Sequence, residues 1–370
     1  MTAYQQTKSA VAVAKLDKMI ADGRAAAARG LTALAAEWGM RQDYIVKPTG
    51  VEVDVTPEHG LRVAFKTGNG ERGPHLGFTH HARGQFLATA GIPVAFADHL
   101  AGHDLSDLLR TNLTRLLSVT APEGMLIREV GGTVKGVLSP SYKRMDSSPV
   151  FEGFAEAALA NGLVPYRGEV TETRALLSFL RPEIVEITEG EHVAFGVDLR
   201  NSDYGNGALS LSLFMWRLLC ANGAAAADLF RKVHLGRRFE AADDVAVLSQ
   251  RTIDLDARTL RSAVADQIKA LPAAISATTE TIRGKVTAEV NLPRALADLG
   301  KRGLTKGLAE KVKATYENTA MPVEALPQQM GAWRLSNVLS LLANAETGDK
   351  AADLRDFAGD VLKTAKPVAA

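Results

Sequence analysis

Hydrophobic and polar positions change period three times along this chain, and each change predicts a different kind of element. From Lys8 to Gly39, alanine and leucine alternate with charges every three or four positions, which predicts one or two amphipathic helices. "GVEVDV" (Gly50 to Val55) and "LRVAF" (Leu61 to Phe65) then alternate with period two around a Pro-Glu-His-Gly turn, predicting a β-hairpin. "MLIREVGGTVKGVLS" (Met125 to Ser139) predicts a second, turning at Gly131-Gly132.

Between the hairpins, Thr79 to Pro93 shows a threonine cap, a helical middle and a Gly-Ile-Pro exit, and Asp104 to Ser118 reads as another helix. A helix after Pro149 ends at "ANG" (Ala160 to Gly162). Strand-like runs follow at "RALLSFLRP", "EIVEI" and "HVAFGVDLRNS". The apolar run "LSLSLFMWRLLCANG" (Leu209 to Gly223) predicts a buried helix closed by Asn222-Gly223 at positive φ. After Asp254 the period is helical throughout. The fold expected is α+β: antiparallel β-hairpins packed with helices, followed by a helical C-terminal region. Its divisions are a helical N-terminal arm over 1–48, an α+β core over 49–250, and a helical region over 251–370.

Composition adds bounds. Apolar residues make up 46% of the chain and charged ones 23%, the balance of an ordinary folded protein. Basic and acidic residues number 43 and 42, so affinity for a polyanion has to come from local segregation of charge. The single cysteine, Cys220, excludes an intramolecular disulfide and a cysteine-based zinc cluster within one chain. Charges at Lys15, Asp17, Lys18, Asp22 and Arg24 interrupt the N-terminal apolar residues, so a membrane span is not expected there and a cytoplasmic protein is.

Candidate chemistry is local. His99 and His103 are four apart, but Leu100 stands where a hydrolytic zinc motif needs glutamate and Gly102 weakens the helix, so no metal is assigned. "KTGNGERG" (Lys66 to Gly73) lacks the phosphate-loop spacing and reads as a hairpin loop. Cys220, beside Leu218 and Leu219, reads as a small buried hydrophobe. Two short runs combine cations with rings: Tyr142, Lys143 and Arg144, and then Arg231, Lys232, His234, Arg237 and Arg238 ahead of Phe239. A single-strand binder uses cations that follow the phosphates and rings on which bases stack.

The order of these pieces is itself informative. "THHARGQFLATAGIPVAF", "GVLSPSYKRMD", "DLRNSDYGNGALSLS", "RLLCANG" and "VHLGRRF", with "WRLSNVLSLLANAE" later, resemble the phage/plasmid-like protein family, a domain family of unknown function in phages and mobile elements. The resemblance spans roughly Thr79 to Phe239, with a weaker echo from Trp333 to Gly359. It rests on Asn201, Ser202, Asp203 and Gly205, on Cys220, Asn222 and Gly223, and on His234 and Gly236. Pro140 and Ser141 replace the family's Ser-Asp before Tyr142, and Asp203 stands where glutamate is common. The hairpin-plus-helix core is distantly similar to single-strand annealing recombinases of the Red-beta and RecT type. Together the resemblances imply a protein of a bacterial host cell that binds single-stranded DNA and promotes annealing or recombination without ATP or another cofactor and without catalytic residues. The alanine-rich arm from Lys8 to Gly39, which gains most of its stability from a partner surface, and the several subunits that annealing needs predict a homo-oligomer whose contacts include this arm. The alternatives are an oligomeric structural or host-interaction protein and a metal-dependent nuclease using the histidines and Asp203.

Overall fold

The structure is a computed structural model that describes residues 3–56, 58–65, 72–218, 222–232, 250–286, 288–323 and 325–364. The N-terminal arm is one long helix, α1 (Ala3–Met40), running directly into strand β1 (Arg41–Val46). The predicted hairpins form as β2 (Val51–Thr56) with β3 (Gly60–Phe65), and β5 (Met125–Val130) with β6 (Thr133–Leu138). Short strand β4 (Gly77–Phe78) runs parallel to β6, giving a four-stranded sheet of order β1-β5-β6-β4 beside the two-stranded one.

Helices α2 (His80–Thr89), α3 (Val94–Gly102) and α4 (Ser106–Thr120) complete this half. Thr79 caps α2 as its composition predicts, its hydroxyl accepting from the Ala82 N–H at 3.3 Å. Leu109, Leu113 and Leu117 recur every four positions on α4 and are buried with Val53, Val63 and Ile127 in one apolar core. Each such side chain, fully removed from water, stabilises the fold by about 1.5–3 kcal/mol.

The second half is built on a five-stranded antiparallel sheet of order β11-β10-β9-β8-β7, preceded by helix α5 (Ser147–Ala160). Its strands are β7 (Val164–Val170), β8 (Ala175–Thr188), β9 (Glu191–Asn201), β10 (Leu209–Arg217) and β11 (Asn222–Lys232). The two runs flanking Pro182 are one strand, and the pairing of β8 with β9 slips between Leu180 and Ile184, where a proline can sit without a ladder bond.

Leu209 to Arg217 corrects the sequence reading: it is strand β10, not a helix. Leu209, Leu211 and Leu213 face one side and Ser210 and Ser212 the other, a period of two. Beyond Leu213 both faces are covered, so the apolar run becomes continuous and mimics a buried helix. Asn222 and Gly223 accordingly begin β11, paired with Arg217 and Trp216, rather than capping a helix.

One face of this sheet, with Leu177, Phe179, Phe195, Val197 and Leu211, packs on α5 and on the C-terminal helices. These are α6 (Gln250–Lys269), α7 (Leu271–Arg283), α8 (Leu292–Lys301), α9 (Lys306–Glu317), α10 (Ala332–Ala343) and α11 (Gly348–Thr364). Arg334, fully buried on α10, donates to the carbonyls of Tyr316, Asn318 and Pro327 and so ties the end of α9 and the following loop to α10.

α1 crosses the β7 edge obliquely. Its Ala12 and Leu16 join Leu180, Ala194, Phe214 and Trp216 on one face, while Ala27 and Leu34 join the core on the other. The edge strand is thereby shielded from pairing with another chain. No helix among the described residues is long and apolar enough to cross a membrane.

Candidate nucleic-acid interface

The polar stretch after β9 is the hinge on which the two halves meet. Gly205 takes φ 79°, as a turn of this kind needs. The Ser202 hydroxyl donates to the Thr173 carbonyl (2.7 Å) and accepts from the Asn206 N–H (2.9 Å). The Asn201 amide donates to the Met145 carbonyl at 2.6 Å and to Asp203 at 3.2 Å. The Tyr204 hydroxyl reaches Glu37 of α1 at 2.8 Å, while its carbonyl accepts from Gln85 of α2 at 2.9 Å. Turn chemistry therefore becomes tertiary contact with four separate segments.

Around this turn lies a buried charge network. Arg128 of β5, fully buried, donates to Asp43 (3.1 and 3.0 Å), to Asp146 (2.8 Å) and to the Asp203 carbonyl (2.9 Å). Arg41 meets Asp146 at 2.6 Å, and Arg144 meets Asp43 at 3.3 Å. The Asp203 carboxylate accepts from the Ser147 N–H at 3.0 Å and the Ser147 hydroxyl at 2.7 Å. Burial and the neighbouring Asp146 charge push the Asp203 carboxyl up to about 6, against Arg128 and Ser147. Burial also presses on Asp146, but Arg128 and Arg41 outweigh it and hold that carboxyl below its usual range. Each carboxylate has a guanidinium or Ser147 as partner, so the cluster is a joint between sheets.

The first basic run belongs to this joint. The Tyr142 hydroxyl donates to the Ser202 carbonyl (3.2 Å), Lys143 pairs with Asp256 of α6 (2.9 Å), and Arg144 is committed to Asp43. Of the second run, Arg231 is exposed and Lys232 half-buried at the end of β11. His234, Arg237 and Arg238 lie outside the described residues, as do Cys220 and most of the Lys66–Gly73 loop. The structure therefore brings Tyr142, Lys143 and Arg144 together with Asn201, Ser202 and Asp203; Lys232, paired with Leu209, is turned to the core side of its sheet, and Arg231 is left on a different surface.

That surface is the second face of the five-stranded sheet. Arg231 is paired with Ser210, and Ser210 with Arg200, so the three side chains form one cross-strand row. The adjacent row runs Ser212, Asp198, Ser178 and Arg167. Arg200 is held upright by Asp198 (3.2 Å) and by Asp356 of α11 (3.3 Å), and Arg167 pairs with Glu169. Further along the same face, Tyr166 stands against Trp216, ring centroids 5.8 Å apart and edge-on. α1 covers the Phe214–Trp216 end and leaves the arginine rows beyond it.

Compared with family models, curated proteins and solved structures, the chain matches none.

The site is thus read from its own geometry. Sequence reasoning missed Arg167 and Arg200 because each sits singly within a strand; the available signal was the alternation Asp198, Arg200 and Ser210, Ser212 opposite apolar neighbours. Among the described residues no group of three His, Cys, Asp or Glu side chains is arranged to hold a metal ion. His99 and His103 do share a face, with ring centroids 4.2 Å apart, but the His103 Nδ1 is engaged with the His99 carbonyl at 2.9 Å.

Proposed function

We propose that this chain binds single-stranded DNA across the second face of its five-stranded sheet and promotes annealing without a nucleotide cofactor. The observation that carries this reading is the row Arg231–Ser210–Arg200, whose cations are set by strand register and flank a hydroxyl. Arginine forks on a sheet recognise phosphates, and the hydroxyls between them donate to the same oxygens. The order of motifs resembling the phage/plasmid-like family, and the distant similarity to annealing recombinases, point to the same class of partner.

The interspersed acids Asp198, Glu169 and Asp356 keep this surface from being a general polyanion trap. Binding by a few arginines predicts a shallow salt dependence, about 0.7 in the log–log slope per phosphate neutralised on a single strand. Fluorescence anisotropy of a labelled oligothymidylate over a salt series tests this. Arg200→Ala and Arg231→Ala each should lower affinity and reduce the slope by roughly that amount. No binding at low salt, or an unchanged slope in both variants, refutes the reading.

A protein-contact role gains support from α4, where Leu105 at the N-cap and Leu108, Leu116 and Val119 along the helix leave an exposed apolar stripe. This stripe fits the homo-oligomer that annealing requires, because one subunit's few contacts cannot align two complements. Light scattering of the full chain against Leu108→Glu/Val119→Glu checks it, a mass shift toward the monomer being the expected result.

A further inference from the structure

α11 presents two adjacent charged residues to the arginine face, and they are treated differently. Asp356 pairs with Arg200, whereas Arg355 has no carboxylate or hydrogen-bond acceptor among the described residues. Its Nε is buried without a partner, and its guanidinium carbon lies 5.9 Å from the centroid of the Trp216 ring. The Trp216 Nε1 is likewise buried with no acceptor. Leu354, Phe357, Ala358 and Val361 fix α11 on the opposite core, so Arg355 is carried to this position by packing rather than by an ion pair.

We propose, resting on the reading of this face as a polyanion surface, that Arg355 beside Trp216 is the seat of one backbone phosphate. A guanidinium offers five donors in a planar fork, matched in shape and charge by two phosphate oxygens. The Trp216 face supports the plane of the fork. Arg200, a second cation near Arg355, is on the same face. Burial and the neighbouring Arg167 and Arg200 charges act against the Arg355 cation, opposed by Tyr166 and Asp198, and an arriving anion relieves that repulsion.

The test uses the full chain and two probes, inorganic tripolyphosphate and a labelled oligothymidylate. Indole N–H resonances of Trp38, Trp216 and Trp333 are assigned by single Trp→Phe replacements. Tripolyphosphate should shift the Trp216 resonance and leave that of Trp333, buried in the other core, in place. Arg355→Gln should abolish the shift, and Arg355→Lys, which keeps charge but not the fork, should weaken it without abolishing it. An unmoved Trp333 resonance and equal thermal midpoints certify the fold of each variant. With the oligonucleotide, Arg355→Gln should reduce the salt slope by about 0.7. If tripolyphosphate shifts Trp216 through Arg355 but the wild-type chain ignores the oligonucleotide, the seat stands and the DNA reading falls. If the oligonucleotide binds wild type and Arg355→Gln with the same slope, or tripolyphosphate leaves Trp216 unmoved, the seat is overturned.

Discussion

Gly30 of α1 and Gly168 of β7 meet backbone to backbone: a Cβ on Gly30 would lie 2.7 Å from the Gly168 Cα. A Cβ on Gly168 would in turn lie 2.8 Å from the Ala27 Cα. No flexible side chain can yield at such a contact, so the helix can lie this close to the strand only because both positions lack a side chain.

Gly30→Ala or Gly168→Ala should therefore lift α1 from the β7 edge and destabilise the fold by roughly 1–3 kcal/mol, the usual range for overpacking. Gly39→Ala on the same helix meets nothing within 4 Å and should be neutral or stabilising. Thermal melting compares the three, and hydrogen exchange at β7 amides localises the loss. Equal midpoints for all three would remove the close-packing argument.

Arg128→Met should destabilise by about 3–5 kcal/mol, because Asp43 and Asp146 lose a fully buried partner. Adding Asp43→Asn should recover part of that loss, since the carboxylate left short of charge is then neutral. Urea midpoints of the two single variants and the double variant check the coupling.

Asp203 predicts an unusual pH profile. Its carboxyl titrates near 3.8 when unfolded and is pushed up to about 6 in the fold. Between these values the folded chain keeps a proton that the unfolded chain has released. Its contribution therefore falls as pH rises from about 4 to about 6 and is flat above, by an amount on the order of 3 kcal/mol. Asp146, held low, acts oppositely: its contribution is present above the unfolded value and is lost as acid protonates it. Urea midpoints from pH 4 to 7 should slope downward less in Asp203→Asn than in wild type. The same slope in both would assign the pH dependence elsewhere.

At Gly205 two costs coincide. Its φ is 79°, and a Cβ would lie 2.5 Å from the Leu138 Cδ2. Gly205→Ala should cost at least about 1–2 kcal/mol from backbone strain alone, with the contact added. Gly91, at φ 70° with nothing within 4 Å, isolates the strain term when changed to alanine. A larger loss at Gly205 than at Gly91, read as a melting shift, is the expected order.

The sequence by itself determined the elements whose signal is local. The hairpins at Gly131-Gly132 and around Pro57 to Gly60, the Thr79 cap and the amphipathic arm were all legible, because turn residues, caps and helical period act between near neighbours. The α+β class followed from their order. Leu209 to Gly223 was misread because a strand covered on both faces loses its alternation, and only the presence of α1 on one side and the large helical core on the other explains why. Tertiary structure alone decided the roles of the cations. Arg144 and Arg231 look alike in the chain, yet Arg144 is committed to Asp43 some hundred positions earlier, while register places Arg231 in a row with Arg200. Charge pairing acts over a few ångströms in space, and no spacing along the chain encodes which arginines fold within reach of an aspartate and which are left facing solvent.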